Sequence, residues 1–226
     1  MKLLSPTTLL GVALAATLAS CSSISDLGGA MGGMAGGGGN AALDTAKNVP
    51  AMNVMALPPA PAVGQSWTMD MSGMKTTTAI VAEMDGQFIL EQETSMYGEP
   101  IILAYQVDPR VDMTAVPAAG EKMTSNVTAA WIGVEGEKPL EHTVMEAMTM
   151  PETTGEAAPA MDFTTGNETV SLGGRSWDAT WTEAGDSKSW MAGNFILRSD
   201  YDGKTVMQIT DWQSNAEPKL DWTPAE

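Results

Sequence analysis

Arg175-Ser176-Trp177-Asp178-Ala179-Thr180-Trp181-Thr182-Glu183 is the stretch whose reading decides the fold. Trp177, Ala179 and Trp181 fall on one side of a two-residue period, and Ser176, Asp178, Thr180 and Thr182 on the other. That is the pattern of a half-buried strand, with the tryptophan side turned inward; an amphipathic helix would repeat every 3.6 residues instead.

Outward from it, residues 169–172, 187–191, 195–201 and 205–212 read as further strands. They are punctuated by Gly173-Gly174, Gly185-Asp186, Gly193-Asn194 and Asp202-Gly203. Turn residues at this spacing make an antiparallel meander. Toward the N-terminus the pattern returns: Trp67, Met69 and Met71 alternate with Thr68, Asp70 and Ser72. Residues 76–84 and 88–95 follow, joined at Asp85-Gly86, and residues 101–107 come after Gly98-Glu99-Pro100. Between the two meanders only residues 126–134, with Trp131, read as a strand. Pro117, Pro139, Pro151 and Pro159 interrupt the rest, since proline cannot donate to a sheet ladder. Residues 145–150 read as a helical turn, and Trp222, between Pro218 and Pro224, reads as part of a tail outside the core.

The meanders also echo each other. Gly64-Gln65-Ser66-Trp67 matches Gly174-Arg175-Ser176-Trp177, and Gly86-Gln87-Phe88-Ile89-Leu90 matches Gly193-Asn194-Phe195-Ile196-Leu197. The expected fold class is therefore all-β with room for a short helix at residues 41–55. Antiparallel meanders form a curved sheet or half-barrel, in two halves that read as duplicated.

Ahead of this domain, which is taken as residues 65–226, lie two segments of other kinds. Residues 1–20 have the form of an export signal: Lys2 at the start, an apolar run over residues 9–18 too short to span a bilayer, then Ala19 and Ser20. Leu18-Ala19-Ser20-Cys21 resembles the lipobox of bacterial lipoproteins. The resemblance implies that the Cys21 thiol is lipidated and becomes the N-terminus of the mature chain. It also implies an outer-membrane anchor facing the periplasm, because Ser22 stands where inner-membrane lipoproteins tend to carry Asp. Residues 21–64, with four consecutive glycines at 36–39 and then Pro50, Pro58, Pro59 and Pro61, read as a flexible tether. With its anchor, tether and two Gly-x-Ser-Trp meanders, the chain resembles bacterial envelope lipoproteins of uncharacterised role. That likeness implies the curved antiparallel sheet of the lipoprotein-carrier proteins and their mycobacterial relatives, with a concave apolar face.

Composition narrows the partners. Loss of Lys2 with the signal leaves 10 of 11 basic side chains against 28 acidic ones, a charge of −18, which disfavours nucleic acid and anionic membrane surfaces. Cys21 is the only cysteine, so no disulfide can brace the domain and the core must hold it.

No set of residues reads as catalytic, and no cofactor is expected. The single histidine, His142, beside Glu141 in a proline-flanked stretch, has the chemistry of a base but reads as a surface residue. Ser72-Gly73-Met74-Lys75 has the Ser-x-x-Lys form of penicillin-interacting enzymes but sits at a strand end rather than opening a helix. Two non-enzymatic functions are open. In the favoured one, the anchored sheet binds a lipid or an envelope protein on its apolar face. In the other, two methionine clusters bind copper in the periplasm: Met69, Met71 and Met74, and Met145, Met148 and Met150 close after His142. Thioethers are soft ligands suited to Cu(I), and they are also adaptable core filler. Ligands would have to converge and stay accessible, whereas filler would be buried with Trp67, Phe88 and Leu90.

Overall fold

Three of the hairpins rest on the same two-residue signature. Ser72-Gly73, Asp85-Gly86 and Asp202-Gly203 all place both residues at positive φ, between 50° and 95°, the turn whose twist matches that of paired strands. The computed structural model, which describes residues 40–95, 99–113, 115, 117–118, 120–150 and 162–223, has eleven strands in one sheet. The strands are β1 (Ser66–Met71), β2 (Met74–Met84), β3 (Gln87–Thr94), β4 (Ile101–Val107), β5 (Val127–Gly133) and β6 (Leu140–His142). The second meander comprises β7 (Phe163–Leu172), β8 (Arg175–Ala184), β9 (Ser187–Ala192), β10 (Phe195–Tyr201) and β11 (Lys204–Gln213). One helix, α1 (Ala41–Ala46), precedes them, its N-terminus capped by the Asn40 side chain accepting from Leu43 N.

The order across the sheet is β6-β5-β4-β3-β2-β1-β11-β10-β9-β8-β7, antiparallel throughout. The fold is thus the curved all-β sheet expected, not closed into a barrel. The seam is the pairing of β1 with β11, which sets Trp67 opposite Trp212 and Met71 opposite Met207. The paired words fall at similar places: Ser-Trp lies at the start of β1 and just after Arg175 in β8, and Phe-Ile-Leu lies just after Gln87 in β3 and at the start of β10.

One core crosses the seam. Trp67, Ile80, Leu90 and Tyr105 from the first meander pack in the same cluster as Trp177, Phe195, Leu197 and Ile209 from the second. Trp177 and Ala179 are buried and Trp181 is half-buried, as the alternation implied. The β8–β9 register ends at Thr180 opposite Met191, so the tip of the β7–β8 ribbon runs on past β9. It folds over the core toward β11. There a Cβ on Gly173 would lie 2.7 Å from Ile209 Cγ2, so only glycine lets the backbones approach this closely.

Three expectations are corrected. The tether does not extend to residue 64. Instead α1 buries Ala42, Leu43 and Ala46 against Ile101 and Ile132, and Met55 and Ala51 enter the main core. Asn126, 3% exposed, fixes that segment by accepting from Met55 N (2.9 Å) and donating to Met55 O (2.7 Å). Residues 145–150 form no helical turn; they run extended, with Met123 N donating to Met148 O and Met150 N to Glu121 O. The tail carrying Trp222 is not outside the core. It crosses the other face of the first meander, where Leu220 packs on Ile102 and Ala104 and the Trp222 ring meets Trp131 edge-on at 5.3 Å.

Candidate functional site

The β7–β8 ribbon makes one edge of the sheet. Its ten residue pairs run from Phe163 opposite Ala184 to Leu172 opposite Arg175 without a shift of register, and among the described residues no strand lies beyond β7. Edge strands are usually blunted by lysine, proline, a bulge or brevity. β7 has none of these: its sequence FTTGNETVSL holds one charged side chain, Glu168. On one face, cross-strand pairs set the side chains, with Thr180 Oγ1 donating to Asn167 Oδ1 (2.9 Å) and Thr169 Oγ1 to Asp178 Oδ1 (3.1 Å). These line a shallow hollow of about 450 Å³.

Beside the ribbon, aromatic rings and cations alternate. Trp181 lies over Gly166, where a Cβ would come 2.6 Å from the ring, and Lys188 Nζ sits 4.2 Å from the Trp181 centroid and 5.1 Å from that of Trp190. Trp190 Nε1 donates to Glu168 Oε1, and Arg198 approaches the Trp190 ring at 4.9 Å. Arg198 also grips Asp200 through two hydrogen bonds of 2.7 and 2.6 Å, which hold the Asp200 carboxyl below its ordinary value. At the ribbon tip the Arg175 guanidinium lies 4.0 Å from the Trp177 centroid and 4.6 Å from that of Trp212. Three of the ten cations among the described residues therefore sit against tryptophan rings in one meander of an otherwise acidic chain. Of these rings Trp177 and Trp190 are buried, while Trp181 and Trp212 are half-buried and, with the backbone of the ribbon, are what the arrangement can offer a ligand. It offers no nucleophile paired with a base.

The sequence-predicted residues scatter. Cys21 lies outside the described residues. Met69 packs against the main core, Met71 is half-buried and Met74 is exposed at the start of β2. Met145 and Met148 are exposed beyond β6, at the far side of the sheet, and His142 Nε2 is hydrogen-bonded to Val49 O at 2.9 Å. The two methionine clusters do not converge. Among the described residues no three His, Cys, Asp or Glu side chains gather as a metal site.

The apolar face of the sheet is covered by the protein's own side chains, among them Met55, Trp67, Leu90 and Tyr105. The second groove, about 400 Å³, lies on the opposite face under the C-terminal tail and is lined by Thr68, Thr77, Glu91, Glu93, Asp211 and Lys219. Glu91 is the charged residue that sequence reading missed. It alternates as an outward position on β3, yet is 4% exposed because the tail covers it. Its carboxylate accepts from Lys219 N (2.7 Å), Leu220 N (3.1 Å) and Trp222 Nε1 (2.7 Å). Compared with family models, curated proteins and solved structures, the chain matches none of them.

Proposed function

We propose that the chain is a non-enzymatic lipoprotein, anchored through Cys21 at the periplasmic face of the outer membrane, whose partner is an envelope protein docked along β7. The unblunted ten-residue edge of β7 carries this reading. An extended segment of the partner adds to the sheet through main-chain hydrogen bonds, while side-chain contacts on the ribbon supply selectivity. A lipid ligand is the poorer fit, because the face that would take it is packed with core residues.

A photo-crosslinking residue placed at Thr165, compared with one at Thr210 on β11, tests the site in cells producing the anchored chain. Adducts with an envelope protein are expected from Thr165 only, and they should vanish when Asn167→Lys and Thr169→Lys are added, since edge charges oppose strand addition. Equal adducts from both positions, or none from Thr165, would remove β7 as the docking strand. The anchor has its own test: Cys21→Ser should leave the protein unprocessed or soluble. Normal cleavage with retention at the outer membrane would refute lipidation at Cys21.

A further inference from the structure

We infer that Met71, Met74 and Met207 form a binding site for a soft monovalent metal ion, Cu(I), at the β1–β2 hairpin. The sheet register brings them together. Met71 is directly opposite Met74 on β2 and directly opposite Met207 on β11. Directly opposed residues of antiparallel strands share a face with Cβ atoms about 4.5–5.5 Å apart, within reach of one another's flexible thioether arms. Met207 lies more than 130 residues from the other two in sequence, so no sequence motif announces the trio.

Three features distinguish this row from core filler. None of the three side chains belongs to the main core cluster, whereas Met69, two residues away on β1, packs against it. Exposure is graded across the row, from Met207 at 9% through half-buried Met71 to Met74 at 38%, which leaves the outer end open to an entering ion. The hairpin is also braced: Gly73 N donates to Asp70 Oδ1 at 2.8 Å, and Ser72 Oγ donates to Val206 O of β11 at 3.3 Å, tying the turn to the strand that carries Met207. Neutral thioethers select a soft ion of low charge over calcium, magnesium or zinc. Because thioethers carry no proton to lose, binding should not change across the range in which imidazole titrates.

Anaerobic titration of the full-length protein with Cu(I), against a chromophoric Cu(I) chelator, tests this. One equivalent is expected, held equally well at about pH 5.5 and about pH 7.5. Combined Met71→Leu, Met74→Leu and Met207→Leu should lose it, while Met145→Leu, Met148→Leu and Met150→Leu together should keep it. Met74→Leu alone, at the exposed end where folding is least at risk, should already weaken it. The site is refuted if the wild-type chain holds no equivalent, if the first triple variant retains it while folded, or if the second triple variant loses it. Weakening at the lower pH would refute an all-thioether site and point to His142.

Discussion

Glu91 shows how a single charge can hold a terminus in place. Its two oxygens serve three donors from residues 219–222, and a buried donor left without its acceptor costs about 1–3 kcal/mol. Glu91→Ala is therefore expected to destabilise the domain by about 3 kcal/mol and to open the tail to protease, with Glu91→Gln intermediate; denaturant melts and cleavage mapping will measure both. The glycines of the β7–β8 turn offer a contrast at the same scale. Gly173 and Gly174 both have positive φ, at 60° and 80°, but only Gly173 is crowded by β11. An alanine costs about 1 kcal/mol in backbone strain at either position, so Gly173→Ala should lower the thermal midpoint further than Gly174→Ala. Acid supplies a third comparison. Asp200 is held below its ordinary 3.8 chiefly by the Arg198 hydrogen bonds. Its contribution to stability is thus complete above that ordinary value and fades as pH falls through the lower folded one. Asp108, brought down to about 2 by Arg110, titrates in the same acid window, so the informative quantity is a difference: Asp200→Asn should lose less stability than wild type between about pH 5 and about pH 2.

Among the elements, the strands with clear alternation and turn signals stand where the sequence places them, because a buried face and a tight turn are both local facts. β7 begins at Phe163, well before the residue at which its pattern becomes readable. Residues 163–168 are exposed or half-exposed on both sides and take their strand from β8, a partner that local periodicity does not reveal. The tail and the segment before β1 are hard to place from sequence for a related reason. Broken by prolines and without strand alternation, they look like tether, yet each docks through a few long-range contacts, with Glu91 and with Asn126. The methionine row and the edge position of β7 among the described residues were illegible too, since both exist only once the strand order is known. Trp222 exposes the consequence. As tail it should be dispensable, but packed on Trp131 and bonded to Glu91 it should matter. Trp177→Ala, which empties a 3%-exposed site and strips the donor from Leu172 O, is expected to cost about 3–5 kcal/mol, and Trp222→Ala about 2 kcal/mol. Equal stability of Trp222→Ala and wild type would mean that the tail is not docked in solution.

At the scale of the whole molecule, the sheet order lays the blocks β1–β4 and β8–β11 side by side in the same sense, so that β1 of one meets β11, the last strand of the other. Each meander thus lends the core its buried faces without completing it, and the segment from Asn40 to Gly64 closes the gap left on the first. That segment contributes Leu43, Ala46, Ala51 and Met55 to buried clusters. Removing it would return side chains of this kind to water at about 1.5–3 kcal/mol for each large one. It would also uncover Ile101, Ile132 and Tyr105, and leave the Asn126 amide without the Met55 backbone it bonds. Against an ordinary stability of about 5–15 kcal/mol, the loss is a large fraction of the whole. A chain beginning at Asn40 should therefore unfold in one cooperative transition. One beginning at Gln65 should melt far lower or populate a state that binds a hydrophobic dye. Thermal unfolding of the two, followed by tryptophan fluorescence, decides the matter. Identical midpoints would mean that residues 40–64 lie on the sheet without stabilising it, and that the two meanders form a sufficient core by themselves.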